Sequence, residues 1–514
     1  MTVTFLSRQG QVTWSRDQIE DMSAELASRL IARHGESDFL VAVVGDTSPE
    51  SAVLARAALV AGIQITFLGM AGHSPGMMAS LRDRLDRLQP DIIVGPGQEI
   101  RGLAAGAQRV AIEDLLDPPL RERSRRGAHD GFEPARFRLV QFTSGTTGHP
   151  SPVTISRDAL EANLKALRRR FQASADDSIF SWLPLNHDMG LVGTVLLSDH
   201  LSCRLTFCAP STFLAHPSMW EQWLTEARPT SIPAPNSGWS LLSYRAGGRD
   251  RRAMRRALES MRVAIIGAEP VDPVLCERLV EGPARLLPAG SLVPAYGLAE
   301  ATLAVSAEPP GTAPVIVDVP GTDESSRDSR VVSAGIPLEG LSVSIRDGDR
   351  ELGDLEIGEI TVRGASLADE YRAEPGGLAT GDEGFTMGSR LFVTGRRKDL
   401  IKVHGRRVFP HEIERAAEAS GLVRRGRTVA FSIPSPPPER SVLLVEPAGG
   451  ARSHHREMED RLRSLVLQCL GVRLDIISVV EPGSIPKTTS GKLKRNDARS
   501  HFLAGETNVA RSRC

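Results

Sequence analysis

Apolar runs of strand length alternate with helix-length amphipathic segments through the first half of the chain. FLVAVVG (39 to 45), IQITFL (63 to 68), DIIVG (91 to 95) and RVAI (109 to 112) are separated by stretches of helical pattern, the rhythm of a mostly parallel sheet covered by helices. It resumes after Ser156, which stands where a helix N-cap belongs, ahead of Leu160, Leu164, Leu167 and Phe171 at spacings of four, three and four. SIFSWL (178 to 183), RLTFC (204 to 208) and MRVAIIG (261 to 267) continue it, each ending near Gly, Pro or Asn. Ligands of open parallel sheets sit beyond the carboxyl ends of strands, so a site is expected at those endings. From about residue 303 the texture becomes short alternating strands and turns, as in LSVSIRDGDRELGDLEIGEITVRG (341 to 364), which predicts a small antiparallel barrel or sheet. GTDESSRDSR (321 to 330) reads as a polar mobile segment, and a fresh α+β pattern begins near RRKD (396 to 399) with PSPPPER (434 to 440) as a loop inside it. The predicted organisation is α/β. A large N-terminal domain at 1–395 comprises two βαβ-type lobes (about 1–302) and a small β-barrel-like subdomain (about 303–395), and a small α+β C-terminal domain occupies 396–514.

Composition narrows the function more than the fold. With 514 residues, 41% hydrophobic and 24% charged, the chain has material for several packed cores. Its 62 Lys+Arg nearly balance 63 Asp+Glu, which gives no electrostatic reason to expect nucleic acid or an anionic membrane. Five scattered cysteines, without a C-x-x-C pair, argue against a disulfide framework or zinc site. The N-terminus lacks a basic start followed by an apolar core, and the longest uncharged run, Ala57 to Leu81, is broken by Gly and Pro, so a cytoplasmic protein with no membrane span is expected.

The chemistry lies in ordered motifs. QFTSGTTGHPSPVTIS (141 to 156), between an apolar stretch and a helix-like stretch, offers the backbone amides and hydroxyls that wrap a phosphate, although a Gly/Ser/Thr turn also arises for backbone reasons alone. AYGLAEAT (295 to 302) sets Tyr296 four residues before Glu300, suited to adenine stacking and Mg²⁺ coordination, or simply a buried tyrosine beside a surface glutamate. ATGDEGF (379 to 385) places Asp382 in a Gly-Asp turn where a carboxylate could accept two ribose hydroxyls. SIPKTTSGKLKR (484 to 495) presents Lys492 beside a glycine.

In this order, over nearly the whole chain, these motifs resemble the adenylate-forming superfamily of acyl-CoA synthetases, adenylation domains and luciferases. SWLPLNHDMGLVG (181 to 193), IIGAEPV (265 to 271) and YGLAEATLAVS (296 to 306) are most similar to its fatty acyl-AMP ligase branch. The resemblance implies an acyl-activating enzyme using ATP or acyl-AMP, Mg²⁺ and coenzyme A, with a mobile C-terminal domain that rotates between acyl-AMP formation and attack by a thiol. It implies that Thr143, Ser144, Gly145, Thr146, Thr147 and Gly148 hold phosphate. Gly267, Ala268, Glu269, Tyr296 and Gly297 would line the adenine, Asp382 and Arg396 hold the ribose, Glu300 hold the metal, and Thr302 bind nucleotide as a substitute for the usual threonine. His187 and Asp188, with Asn236, Ser237, Gly238 and Trp239, would mark the acyl pocket. Lys398 takes the hinge position, Gly405 the thioester-pose loop, and Lys492, with His187, the catalytic roles.

Departures from the pattern sharpen the expectation. The family loop usually ends G-x-P-K-G, whereas Gly148, His149, Pro150, Ser151 and Pro152 stand here, so a lysine is serine and a glycine is proline. Ala299 replaces the usual threonine, and the chain between Glu300 and Gly335 is shorter than the branch's insertion. The preferred expectation is acyl transfer through acyl-AMP to coenzyme A, with weak adenylation and acyl-AMP supplied by a separate adenylating enzyme. The alternatives are a fatty acyl-AMP ligase loading an acyl carrier protein and a non-catalytic adenylate binder.

Overall fold

The computed structural model describes residues 2–35, 38–69, 75–103, 106–116, 132–143, 151–245, 250–282, 285–320, 330–403, 406–434, 439–449, 455–487 and 492–507. Two large sheets dominate it. The first has six strands in the order Gln108–Ala111, Ile92–Gly95, Leu40–Gly45, Gln64–Gly69, Arg138–Phe142, Pro152–Ser156. All pair in parallel except the last, which folds back antiparallel on Arg138–Phe142. Its central strand, LVAVVG, is buried along nearly its full length, as a sheet covered on both faces requires.

The second sheet has nine strands, with Leu292–Gly297, Val263–Ile266, Ser231–Ala234, Ser178–Ser181, Arg204–Cys208 and Thr2–Ser7 running parallel through its centre. The N-terminal segment, which the hydrophobic pattern left unassigned, is thus a strand of this sheet, with Val3 opposite Leu205. The helix Arg16–His34 follows a strand that ends at its N-cap, Ser15, whose hydroxyl accepts from Gln18 N while Gln18 returns a bond to Ser15 N.

The β-rich stretch is an open sheet rather than barrel-like: five antiparallel strands in the order Arg350–Glu351, Leu341–Asp347, Gly358–Gly364, Leu378–Met387, Arg390–Arg396. Its apolar side packs on Ala301 and Val305, so there was no need for closure to bury it. Beyond residue 400 the chain forms the hairpin Ile401–Val403/Arg406–Val408, a three-stranded sheet and the helices Pro410–Ala419, His455–Leu470 and Arg495–Leu503. Two apolar cores there contain only residues 401 to 502. Among the described residues no helix is long and apolar enough to cross a membrane.

Candidate active site

The loop at 181–193 is shaped by one glycine and one irregular helix. A Cβ at Gly190 would lie 2.2 Å from the Pro184 carbonyl oxygen, so only glycine lets the chain turn there. Leu191–Leu196 then form a buried π-helical turn, a local irregularity that often accompanies functional positions. This construction holds His187 and Asp188 at the rim, partly exposed, with His187 Nδ1 2.5 Å from Asp188 Oδ1.

Lys492, three hundred residues away in sequence, meets that pair: its Nζ lies 2.9 Å from His187 Nε2. Burial lowers the affinity of Lys492 for its proton, while Asp188 and Glu269 act the other way. Burial alone would push Asp188 up, but the His187 and Lys492 charges and the Met189 N–H hold it below the usual carboxylate range. Glu269 is raised by burial against the pull of Lys492, and it accepts from Ser237 N at 3.3 Å.

A second cluster comes from strand register. Leu378–Met387 pairs with Arg390–Arg396 so that Asp382 lies opposite Arg396, and Arg396 Nε approaches Asp382 Oδ1 at 3.2 Å. The Tyr296 hydroxyl donates to Asp382 Oδ2 at 2.7 Å. Asp382 is 6% exposed; burial raises its carboxyl, with Arg396 opposing, and burial together with Asp382 pushes the Tyr296 phenol well above its usual value. Gly267 brings the adjoining turn close, since a Cβ there would lie 2.5 Å from Ala295 O. The next residue, Ala268, holds φ +66°, a left-handed conformation that alanine rarely adopts outside constrained sites. Gly297 ends the Tyr296 strand, where a Cβ would lie 1.8 Å from Leu303 O.

Glu300 links the two clusters. Burial raises its carboxyl, Arg396 attracts it, and Asp188 and Asp382 repel it. A divalent cation would relieve that repulsion, and a site of one carboxylate completed by phosphate oxygens suits Mg²⁺. Among the described residues there is no cluster of three or more metal-ligating side chains, so the protein alone does not form a complete cage.

Other expected positions behave differently. Thr302 is wholly buried, at φ +72°, and its hydroxyl donates to Ser366 O at 2.7 Å, so as placed it does not offer an oxygen to phosphate or metal. Trp239 is a core residue whose indole donates to Ile265 O at 2.8 Å, and a Cβ at Gly238 would touch the Trp182 ring at 3.1 Å. Asn236 braces the turn by donating to Pro270 O and accepting from Asp272 N. Lys398 is exposed on the turn Arg397–Asp399. Of the loop expected to hold phosphate, Thr143 is described: its N–H donates to Ser151 O at 2.9 Å and its hydroxyl accepts from Ser151 N at 3.3 Å. Ser144, Gly145, Thr146, Thr147 and Gly148, like Gly405, lie outside the described residues. The loop joins two antiparallel strands and not a strand to a helix, as its sequence pattern had indicated, and Pro152 opens the second strand opposite Phe142.

Sequence patterns did not reveal a cavity of about 340 Å³ beside this centre, at the carboxyl ends of Leu40–Gly45 and Gln64–Gly69, lined by Asp46, Thr47, Phe67, Asn186, Ser211 and Leu214 among others. Asn186 fits there because residue 69 is glycine: a Cβ would lie 2.6 Å from its side chain. Also missed was Arg495, whose guanidinium reaches both oxygens of buried Glu414 at 2.7 and 3.2 Å, one turn of chain beyond Lys492. Cys203, Cys208 and Cys276 are buried, and burial raises their thiols, that of Cys203 to about 12, so none is a nucleophile near neutral pH.

The sequence profile of the family described as AMP-binding enzyme matches residues 2–372. A Caulobacter vibrioides protein provisionally named an acyl-CoA synthetase is 33% identical over 399 residues, covering 71% of this chain and 68% of its own. The medium-chain-fatty-acid–[acyl-carrier-protein] ligase TtuA of Teredinibacter turnerae is 28% identical over 443 residues, 78% of this chain and 67% of its own. A solved structure from work on fatty acyl-adenylate ligases of E. coli and L. pneumophila superposes with a TM-score of 0.84 at 25% identity, over 98% of this chain and 95% of that one. A half-buried lysine facing a His-Asp pair, a Tyr-Asp-Arg cluster and a glutamate coupled by charge to both agree with that match, and the chain belongs to the AMP-binding, adenylate-forming acyl ligases, on their fatty acyl-AMP ligase branch.

Proposed function

We propose that this chain passes an acyl group through acyl-AMP to a thiol, most directly that of coenzyme A, and that acyl-AMP formation is its weaker half-reaction. The observation that carries the reading is Lys492, contributed by the C-terminal region at 396–514 and seated 2.9 Å from His187 beside Glu269 and Asp188. A carboxylate attacking the α-phosphate of ATP brings two anions together, and a cation held between them offsets that repulsion as pyrophosphate leaves. Lys492 would supply it. Asp382 would take the ribose hydroxyls: its carboxylate has acceptor positions beyond those used by Tyr296 and Arg396. Tyr296, Gly297 and the turn Gly267-Ala268-Glu269 would flank the adenine, and Glu300 would hold Mg²⁺, which when bound neutralises phosphate charge. His187, Asp188 and the helix start at Asn236 and Ser237 border the acyl side, Lys398 serves as hinge, and the loop at Gly405 serves the thioester pose.

The phosphate loop supports a slow first half. Ser151 stands where the family places lysine, leaving Thr143, Ser144, Thr146 and Thr147 hydroxyls and the Gly145 and Gly148 amides to hold the outer phosphates without that cation. Acyl-AMP from another adenylating enzyme would then be a natural substrate. The carrier-protein reading is favoured by the likeness to TtuA, a ligase named for that acceptor.

The test supplies ATP, a panel of carboxylic acids or their pre-formed acyl-AMPs, and either coenzyme A or a holo acyl carrier protein, following pyrophosphate and thioester separately. Thioester formed at least tenfold faster from acyl-AMP than from acid plus ATP is expected. Rapid ATP–pyrophosphate exchange with one acid would remove the weak-adenylation reading, transfer to the carrier alone would replace coenzyme A, and neither product from any substrate would leave a binder.

A further inference from the structure

The contact between Lys492 and His187 bears on the second half-reaction as well as the first. An ammonium group donates hydrogen bonds and accepts none, so the His187 Nε2 that lies 2.9 Å from Lys492 Nζ is the acceptor nitrogen. The ring proton is then on Nδ1, where Asp188 Oδ1 receives it at 2.5 Å. The Met189 N–H does not compete for Nδ1: it lies 2.6 Å from Asp188 Oδ1 and 3.4 Å from the imidazole. Asp188, held as a carboxylate, thus fixes the tautomer with its lone pair facing the reaction centre, and the glycine turn and π-helical segment behind it fix the ring's position.

We propose that His187 is the general base of the thiol-transfer half-reaction, covered by Lys492 while the acid is adenylated and uncovered when the C-terminal region withdraws. This rests on the reading that the chain transfers acyl groups to a thiol. Lys492 is the side chain occupying Nε2 here, and it belongs to the part of the chain with its own apolar cores. When it leaves, the Nε2 lone pair faces the position that Lys492 Nζ vacates, where the proposed function puts the reacting carboxylate. The incoming S–H gives its proton to Nε2, the sulfur bonds to the acyl carbon, and the carbon–oxygen bond to phosphate breaks with its electrons on the departing AMP. The imidazolium proton then passes to water. The sum is acyl-AMP plus thiol giving thioester, AMP and a proton.

The charged groups around this base are Asp188 on its own loop, Lys492 and Arg495 from the C-terminal region, Glu269 and Glu300 from turns that follow strands, and Arg396 from the end of a strand. Glu269 is the rival acceptor, with one oxygen already receiving the Ser237 N–H, and its own variant distinguishes it from His187. Asp188 turns its Oδ1 to His187 Nδ1 and the Met189 N–H, so it acts through the ring.

The experiment uses full-length protein, acyl-AMPs from acetyl to palmitoyl, and pantetheine as the thiol, between pH 6.5 and 9.5. General-base help is worth about a hundred- to ten-thousandfold, and an unassisted thiol reacts through its thiolate, a few per cent of the total at neutral pH for a pKa near about 8.5. His187→Gln is therefore expected to transfer at least about a hundredfold more slowly at pH 7, with the gap closing to severalfold by pH 9.5, whereas Glu269→Gln leaves the shape of the profile intact. A merely structural role predicts a loss that does not vary with pH, and that outcome overturns the proposal. The wild-type profile is a second measurement, independent of how the variants fold: it should be nearly flat above pH 7, and a rate that rises tenfold per unit up to the thiol pKa excludes a base. Wild-type protein that transfers no acyl group removes the transfer reading and His187's role with it, while brisk wild-type transfer matched by the variant removes the role alone.

Discussion

Asp382 shows how one side chain can be committed before any ligand arrives. Its two oxygens already receive Tyr296 and Arg396, so the ribose pocket proposed there would be pre-assembled by a register pair and a phenol instead of awaiting the nucleotide. Replacing it with Ala should weaken binding of a non-hydrolysable acyl-sulfamoyl adenosine by about 1.5–3 kcal/mol, the worth of hydrogen bonds to a charged group. Calorimetry would read this directly, and Asp382→Asn, which keeps one acceptor oxygen, should lose less. Unchanged affinity in the Ala variant would take Asp382 out of the site. The tyrosine's expected place on the adenine face is compatible with this arrangement only if its hydroxyl stays on Asp382, which orients the ring.

Among elements, the hairpin Arg138–Phe142/Pro152–Ser156 alters the meaning of the unusual phosphate loop. Pro152 opens the second strand, a position where a residue without an N–H is accommodated, so the proline does not itself deform the loop base, which Thr143 and Ser151 close. On the proposed reading, the absent lysine at position 151 matters more than the proline. Ser151→Lys alone should therefore speed ATP–pyrophosphate exchange by about tenfold or more, one charge-assisted contact being worth roughly 1.5–3 kcal/mol. Adding Pro152→Gly should give no further gain and cost up to about 1 kcal/mol of stability through the freer unfolded chain. Exchange that responds to Pro152→Gly and not to Ser151→Lys would reverse the assignment.

At the scale of the whole molecule, charged groups meet where the C-terminal region approaches the rest of the chain. Arg407 Nη2 donates to both oxygens of buried Glu383 at 2.8 and 3.0 Å, just beyond Gly405. Near the helix capped by Asp272, burial raises the carboxyl of Glu418 to about 7, with Glu414 and Asp272 adding to the rise, against the Gly426 N–H that donates to it at 2.7 Å and the charge of Arg425. A carboxyl whose folded pKa is raised binds more protons folded than unfolded, so its contribution is fully present below about pH 4.5 and is lost as pH rises through about 7. Glu418→Gln should leave stability nearly unchanged near pH 4 and increase it near pH 8.5, by at most about 3 kcal/mol. Thermal unfolding at the two pH values checks the sign, and a variant less stable than wild type at pH 8.5 would contradict it.

Much of this was legible in the residues. Strands such as Leu40–Gly45 and Gln64–Gly69 are apolar throughout because both their faces are covered, and Ser156 caps Arg157–Phe171 because its side chain meets the amide of Ala159. Tyr296, Glu300, Asp382 and Lys492 stood out because each sits in a short ordered motif whose chemistry is local. Contacts between distant segments carry no such mark. The strand Thr2–Ser7 joins a sheet through partners two hundred residues on, and its six residues are too few to show which neighbour they have. Whether a β-rich segment closes or lies open depends on what covers its apolar face, here Ala301 and Val305. Thr302 reads as a ligand in sequence and is spent on Ser366 in three dimensions. Sequence by itself determined which side chains have the chemistry, because charge, hydroxyls and glycines are local properties. Tertiary structure decided which of them meet: His187 takes its tautomer from Asp188 and its partner from Lys492, since a hydrogen bond is settled by distances of 2.5 and 2.9 Å that only the folded chain sets.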